Sequence, residues 1–181
     1  MKLLELIELR QSDRKYIDRK VEKEKIIRCL EAGRLAPSAS NSQPWSFVVV
    51  EETELKGKVA RASFGPLKSF NKFVPEAPVI IAIVQEKPKK ITEIGGRIKN
   101  KEFPLIDIGI AAEHICLQAA EDGLGSCMLG WFDEKKVKEL LRVPENKNIP
   151  LLITLGYVPK GYLHRKKIRK SIEEVVKWNT Y

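Results

Sequence analysis

The sequence predicts an α/β (α+β) sandwich, with a central, mostly antiparallel or mixed sheet flanked by helices on both faces. Segments with helical periodicity alternate along the chain with short apolar runs typical of strands. With 181 residues, of which 43% are hydrophobic, the chain is long enough for one domain with a sizeable core. No internal repeat and no linker divides it, so we expect a single domain over residues 1–181.

Five segments are predicted to be helical. The N-terminal segment places leucine and isoleucine at helical spacing, and the longest helix, at 104–124, carries a stripe of small apolar residues suited to close packing. Gly123 is predicted to end that helix as a C-terminal cap. The remaining three helices are predicted at residues 22–35, 52–63 and 133–141.

Four apolar runs are predicted to be strands. Residues 79–84 are continuously apolar, which indicates a strand buried on both faces. The other three runs are residues 45–50, 126–129 and 151–157. Glycine and proline mark residues 64–78 as a loop, and the polar stretch 86–103, with Gly95-Gly96, is predicted to be an excursion over the surface.

The stretch Pro37-Ser-Ala-Ser-Asn-Ser-Gln-Pro-Trp45 joins a predicted helix to a predicted buried strand. Its two prolines restrict the backbone and remove two N–H donors, so hydroxyl and amide side chains supply the local hydrogen bonds. A rigid polar loop on a packed scaffold is a common place for ligand-binding groups. An ordinary helix-to-strand connection capped by serine and asparagine explains the composition equally well.

Near the N-terminus, Arg10, Ser12 and Arg14 stand at alternate positions. In an extended segment they would project to one face, where two guanidiniums could bind a phosphate dianion and a nearby carbonyl. The alternative is a solvated helix end with basic residues at its C-terminus.

The formal net charge is +9. Much of it is lysine beside glutamate, as in Glu22-Lys-Glu-Lys25, which is typical of solvated helix faces. We expect no nucleic-acid partner, because no basic motif interleaved with aromatics, finger spacing or zipper pattern is present. The basic clusters at residues 10–14 and 165–170 differ from this background, since both could face one anionic cofactor.

Three cysteines without a Cys-x-x-Cys spacing argue against a disulfide framework. The two histidines lack ligand spacing, so no metal site is expected. No membrane contact is expected, since no apolar run reaches the roughly 18–20 residues of a membrane span. No N-terminal signal is recognised, and a cytoplasmic location is predicted.

Four separated pieces, in the order typical of the family, resemble the FMN-dependent nitroreductases, specifically their short single-domain members. Arg10-Gln-Ser-Asp-Arg14 is similar to the family's flavin-phosphate motif, and the 37–45 stretch to its Ser-x-x-Asn-Ser-Gln-Pro-Trp signature. Gly123-Leu-Gly-Ser-Cys-Met-Leu-Gly-Trp-Phe132 resembles the segment that lies against the flavin ring. Residues 165–179 are similar to the closing basic cluster and terminal helix.

The resemblance implies bound FMN at a homodimer interface and NAD(P)H as co-substrate. Hydride would pass through flavin N5 to a small-molecule electron acceptor, a nitroaromatic, quinone or flavin, by a ping-pong mechanism. No catalytic side chain is expected, because the cofactor carries the chemistry. In agreement, no Ser/His/Asp arrangement, paired carboxylates or nucleophilic cysteine is found in the sequence.

The resemblance also implies roles for individual residues. Arg10, Ser12, Lys167 and Arg169 would hold the phosphate and ribityl end, and Arg14 would lie near flavin N1 and the C2 carbonyl. Met128 and Leu129 would pack on the ring, with the Gly130 N–H directed at N5. The 37–43 loop would reach the flavin of the other subunit, and helix 104–124 would supply much of the dimer interface, with Trp178 and Tyr181 packing across it. The predicted cofactor-binding residues are Arg10, Gln11, Ser12, Arg14, Pro37, Ser38, Ala39, Ser40, Asn41, Gln43, Met128, Leu129, Gly130, Lys167 and Arg169.

The sequence departs from many relatives in three respects. The interval between strand 79–84 and helix 104–124 is short, which predicts an open pocket. Gly130 stands where long members carry glutamate, and Ala39 where many carry serine or threonine. Asn71 and Lys72 do not align cleanly with the family's Asn and Lys and are left out of the predicted site. The alternatives are a flavin- or nucleotide-binding module without turnover, and a flavin-fragmenting or dehalogenating relative.

Overall fold

A computed structural model describes residues 2–64 and 71–181. Within these residues four strands form one antiparallel sheet in the order β1-β2-β4-β3, which confirms the predicted class. The strands are β1 (Trp45–Val50), β2 (Val79–Gln85), β3 (Gly125–Leu129) and β4 (Asn148–Gly156). The α-helices are α1 (Leu3–Leu9), α2 (Lys23–Arg34), α3 (Thr53–Ala62), α4 (Lys90–Lys99), α5 (Phe103–Glu121), α6 (Glu134–Leu141) and α7 (Ile172–Val175).

The sheet separates two hydrophobic cores, as expected of a sandwich. Alternate residues of β2 point to opposite cores: Ile81 and Ile83 pack with α2 and α5, and Ile80 and Ala82 pack with α3 and α6. All six residues from position 79 to 84 are buried, as their unbroken apolar run predicts. The central strand therefore fixes both helical layers in position.

The longest helix, α5, lies in the first core. Judged by length and composition alone, this 19-residue helix could cross a membrane. No such segment was expected from the sequence. Its stripe of small residues, including Ala111, Ala112 and Ala119, is fully buried against the chain's own α2 and sheet. The small-residue stripe is thus used inside one chain, and the prediction that this helix supplies much of a dimer interface concerns its outer face, where Leu105 and Ile106 are exposed.

Two predicted boundaries need correction. Residues 86–103 contain α4, because Ile91, Ile94 and Ile98 recur at helical spacing despite the adjacent glycines. The last strand begins at Asn148, three residues earlier than predicted. The register shifts where Ile83 pairs with Leu151 and Gln85 with Asn148, and Pro150 lies at this bulge, where its missing N–H costs no regular ladder bond.

Other boundaries are close to the prediction. The turn after α5 uses Gly123 at φ +73°, a conformation that glycine adopts without strain. Of the predicted loop 64–78, residues 65–70 lie outside the described residues, and Val74–Glu76 form a 3₁₀ turn. The tail contains the four-residue α7, which begins after a capping box at Ser171.

Candidate functional site

Residues 10–14 extend the sheet beyond its edge strand. Ser12 forms a parallel bridge with Ser126 of β3, and the Asp13 N–H donates to the Ser126 carbonyl at 2.8 Å. Behind the segment, the buried Tyr16 hydroxyl donates to the Asp13 carbonyl at 3.0 Å and lies 2.7 Å from Thr154 Oγ1. The N-terminal motif is thus held against β3 by backbone hydrogen bonds and by one buried tyrosine.

The segment alternates as an extended chain does, which supports the predicted shared face of Arg10, Ser12 and Arg14. Gln11 Nε2 donates to Asp13 Oδ1 at 2.8 Å, so these two side chains occupy the other face. Gln11, predicted as a cofactor ligand, is therefore engaged in holding the segment itself. Burial raises the pKa of the Asp13 carboxyl, against the opposing effects of Gln11 and the Ser126 N–H.

The C-terminal tail runs along the N-terminal segment, although more than 150 positions separate them in sequence. The Arg165 N–H donates to Gln11 Oε1 at 3.0 Å, and its guanidinium donates to the Ser12 carbonyl. Lys167 Nζ donates to the Arg10 carbonyl. We call residues 10–14 together with 165–169 the basic clamp.

The cations of the basic clamp are crowded. The pKa of the Lys167 ammonium is lowered, first by desolvation and then by the charges of Arg10 and Arg169. Arg10 is the member that pairs with a carboxylate, since its Nε donates to Glu113 Oε1 of α5 at 3.1 Å. In the ion pairs of residues 2–64 and 71–181, these three cations have one carboxylate partner, Glu113, so together they suit a multiply charged anion.

The 37–43 loop has an unusual backbone conformation and hydrogen bonds within itself. Ser40, Asn41 and Gln43 adopt positive φ angles of 51°, 51° and 47°, which non-glycine residues seldom adopt. Inside the loop, the Gln43 N–H donates to Ser38 Oγ at 2.9 Å and Gln43 Nε2 donates to Asn41 Oδ1 at 3.0 Å. The side chains of Ser40, Asn41 and Gln43 are exposed, whereas Ser38 and Ala39 are half-buried.

Two buried side chains from different helices anchor this loop at Ala39. The Ala39 N–H donates to both carboxylate oxygens of Asp107, each at 3.1 Å. Thr92 Oγ1 donates to the Ala39 carbonyl at 3.2 Å and lies 2.8 Å from Ser42 Oγ. The loop and the basic clamp therefore attach to α5 at Asp107 and Glu113, six residues apart.

This spacing separates the two regions around the helix. Six residues advance about 9 Å along an α-helix and turn about 600°, which leaves the two attachment points about 120° apart around the axis. Among the described residues, the hydrogen bonds and ion pairs join each region to α5 and not to each other. One chain thus presents the two regions in different directions.

The end of β3 carries the third predicted piece. Met128 is half-buried and Gly130 is exposed, so both are accessible at the sheet edge. Leu129 is only 4% exposed and packs in the second core. The prediction that the Leu129 side chain packs on a ring is therefore wrong, because neighbours in a strand point to opposite faces and this one faces α3 and α6.

Sequence reasoning missed three residues that shape the site, Asp107, Thr92 and Glu113, and left out a fourth, Asn71, because its surroundings do not align cleanly. Asn71, at φ 59°, donates through Nδ2 to the carbonyls of Ser63 and Trp131, both at 2.8 Å, and so positions the chain directly after Gly130. A signal existed for Asp107, the lone carboxylate within Leu105-Ile-Asp-Ile108 of a core helix. Thr92 and Glu113 have no comparable signal.

The side chains alone offer little chemistry. Burial raises the pKa of the Cys29 and Cys116 thiols to about 12, so neither is a thiolate at neutral pH. Throughout residues 2–64 and 71–181, no group of three His, Cys, Asp or Glu could hold a metal ion. The basic clamp fits an anionic group on an organic cofactor.

Comparison with known proteins gives a consistent family. A family model described as the nitroreductase family matches residues 7–157. One relative is a protein of Archaeoglobus fulgidus named as a putative NADH dehydrogenase/NAD(P)H nitroreductase. It is 33% identical in an alignment of 162 positions that covers 85% of this chain and 84% of the other. The iodotyrosine deiodinase of Thermotoga neapolitana is 25% identical in an alignment of 204 positions that covers 100% of both chains.

Solved structures agree with the sequence relatives. The FMN-dependent nitroreductase of Clostridium difficile R20291 superposes with a TM-score of 0.76 at 29% identity, covering 99% of this chain and 100% of the other. The fold, the matched residues 7–157 and the identity over most of two chains lead to one conclusion. The chain belongs to the nitroreductase family.

Proposed function

We propose that the protein is an FMN-dependent NAD(P)H oxidoreductase that reduces a small-molecule acceptor such as a nitroaromatic, a quinone or a free flavin by a ping-pong mechanism. The observation that carries the proposal is the basic clamp, in which Arg10, Lys167 and Arg169 converge from opposite ends of the chain. It supports binding of the FMN phosphate. Bound FMN supplies hydride transfer between NAD(P)H and the acceptor, and the protein supplies binding, orientation and electrostatics.

Each part of the site has its own role in this proposal. Arg10, Ser12, Lys167 and Arg169 hold the phosphate and ribityl end. Arg14, exposed on the same face as Arg10, stabilises negative charge at the N1 and C2 carbonyl end of the ring. Met128 would pack on the ring, and Leu129 and Gly130 would contribute backbone, with the Gly130 N–H as a donor toward N5.

We further propose a homodimer in which the 37–43 loop of one chain closes the flavin site of its partner. The angular separation of the two regions around α5 supports this sharing. So does apolar surface left exposed on one chain, such as Leu4 of α1, Ile98 of α4 and Trp178 of the tail, the last 84% exposed. Obligate interfaces of this kind bury roughly 2,000–5,000 Å².

The three cysteines are free, in keeping with a cytoplasmic location.

The test uses purified protein loaded with FMN under anaerobic conditions. We expect yellow protein whose flavin absorbance is bleached by NADH or NADPH and restored by an acceptor from a panel of nitroaromatics, quinones and flavins. Light scattering at micromolar concentration should give the mass of a dimer. Flavin that binds but resists bleaching by both nucleotides would instead favour the non-catalytic binding module.

Reductive dehalogenation is a second candidate. It is favoured by the similarity to the deiodinase of Thermotoga neapolitana over the full length of both chains. Iodotyrosine in the acceptor panel separates the two candidates, because only a dehalogenating enzyme would release iodide from it with turnover of NAD(P)H.

A further inference from the structure

We propose that Asp107 and Thr92 are positioning residues for the 37–43 loop. They hold its backbone in the shape in which it contacts the flavin ring. This inference rests on the proposed function and assigns roles to two residues outside the predicted site. Asp107 comes from α5 and Thr92 from α4, and each is only 4% exposed. Neither reaches the cofactor; both act through Ala39.

The loop needs such anchors because its conformation is unfavourable by itself. Ser40, Asn41 and Gln43 all adopt the left-handed region, and Ser40 lies at φ 51°, ψ 28°. L-residues avoid this region, and several of them in one short loop persist only where surrounding contacts determine the shape. The internal hydrogen bonds from Gln43 join loop residues to each other and do not attach the loop to the scaffold.

The buried attachments of the loop meet at one residue, Ala39. The Ala39 N–H is bound by the Asp107 carboxylate and the Ala39 carbonyl by the Thr92 hydroxyl, so side chains from two helices hold both polar groups of this residue. Thr92 also contacts Ser42 Oγ, at 2.8 Å, on the far side of Ser40 and Asn41. The exposed Ser40 and Asn41 therefore lie between two residues held by Thr92. Lys89 adds an exposed contact on this side, since its Nζ donates to the Ser40 carbonyl at 3.2 Å and its N–H to Ser42 Oγ at 3.3 Å.

A buried carboxylate is costly unless it is well partnered. Among the described ion pairs none involves Asp107, and Ala39 N–H is its partner in the described hydrogen bonds. A leucine at this position in an apolar core helix would avoid that cost. The carboxylate is thus explained by what it holds, which is the loop.

The basic clamp and the loop give different signatures in ligand binding, and this difference defines the experiment. A residue that acts at the phosphate weakens FMN and leaves riboflavin unchanged. A residue that shapes the ring-contacting loop weakens FMN and riboflavin by the same factor. Asp107→Leu should weaken both by about tenfold, because one buried N–H loses its acceptor and the loop loses its shape.

Three further single variants complete the design. Asp107→Asn keeps one acceptor oxygen and should restore both affinities to within about threefold of wild type. Thr92→Val should weaken both flavins, and its effect should be non-additive with that of Asp107→Leu, since both act on Ala39. The control is Asp122→Leu, which removes a carboxylate paired with Arg28 at the far end of the same helix and should leave both affinities unchanged.

The outcomes separate this inference from the proposed function. Wild-type protein that binds neither flavin would contradict the function. Wild-type protein that binds both, with Asp107→Leu folded and binding both equally well, would overturn the positioning role, as would loss of FMN affinity alone. If Asp107→Leu does not fold, the test rests on Thr92→Val and on the double variant of Thr92→Val with Asp107→Asn. Unchanged affinities for both flavins in these two proteins would overturn the proposal.

Discussion

The basic clamp and the 37–43 loop attach to the same helix but are built on opposite principles. The clamp carries cations and is held by an exposed tail, with Lys167 and Arg165 donating to backbone carbonyls of the N-terminal segment. The loop carries no charge in residues 37–43, and its backbone is fixed by buried side chains. The first region is suited to recognise charge, and the second to recognise shape.

The contrast has a consequence for how each region fails. A charge contact weakens with ionic strength, whereas a contact determined by backbone shape does not. The exposed clamp cations Arg14 and Arg169 can be removed without disturbing the fold, because their side chains lie on the surface. The anchors of the loop lie in the core, so their loss changes the position of several contacts together.

The largest effect is expected from Arg169→Ala. Removing one cation from the phosphate should weaken FMN roughly 10- to 100-fold, since a charge-assisted hydrogen bond contributes about 1.5–3 kcal/mol. Riboflavin, which has no phosphate, should bind as before. Fluorescence titration of apoprotein with each flavin measures both affinities, and Lys160→Ala, at an exposed lysine outside the clamp, is the matched control. An equal loss for both flavins would show that the tail acts through dimer packing.

Arg14→Ala should separate binding from redox tuning. We expect a folded protein with weaker FMN and a lower flavin midpoint potential, because a cation near N1 favours the reduced, more negative ring. Spectroelectrochemical titration gives the potential. Lys15→Ala, the exposed neighbour, serves as the control. Unchanged occupancy together with an unchanged potential would remove Arg14 from the site.

Gly125→Ala tests how closely the clamp is seated on the sheet. A Cβ at this position would lie 2.6 Å from Val158 Cγ1 and 2.9 Å from Asp13 Oδ2, so both side chains must move. We expect a loss of about 1–3 kcal/mol in the free energy of unfolding, measured by urea denaturation. Gly57→Ala in α3, where the nearest atom is the flexible Arg61 guanidinium at 3.5 Å, should be neutral or stabilising.

The smallest effect concerns the buried carboxyl of each region. Burial raises the pKa of both Asp13 and Asp107 above the ordinary 3.8. A raised pKa means that the neutral form is favoured on folding. Each carboxyl therefore contributes most to stability below pH 3.8, and the contribution is lost as pH rises through the folded-state pKa.

Asp107→Asn removes this titration. Its unfolding free energy relative to wild type should therefore increase as pH rises from about 4 through the folded-state pKa of Asp107, and it should be level below and above this range. Denaturation midpoints across this range measure the trend. A difference between the two proteins that stays constant with pH would show that Asp107 does not titrate with a raised pKa.

The two regions also differ in how well the sequence revealed them. Alternation of Arg10, Ser12 and Arg14 was readable, because an extended chain has a fixed side-chain period. The strained backbone of Ser40 and Asn41 was not, since non-glycine residues at positive φ are selected by tertiary contacts. The anchors Asp107 and Thr92 come from helices far away in sequence, and Thr92 lies in α4, whose glycine pair suggested a loop. Leu129 was misassigned because its motif spans both faces of a strand.

The account predicts that the basic clamp of one chain and the loop of its partner form one flavin site. The direct test is a heterodimer, purified through two different tags, of a clamp variant, Arg14→Ala, and a loop variant, Asn41→Ala with Gln43→Ala. Each homodimer should bind FMN weakly. The heterodimer should regain one tight FMN site per dimer, built from the intact clamp of one chain and the intact loop of the other. A heterodimer without a tight site would contradict the account, because it would place clamp and loop of the same chain around each flavin.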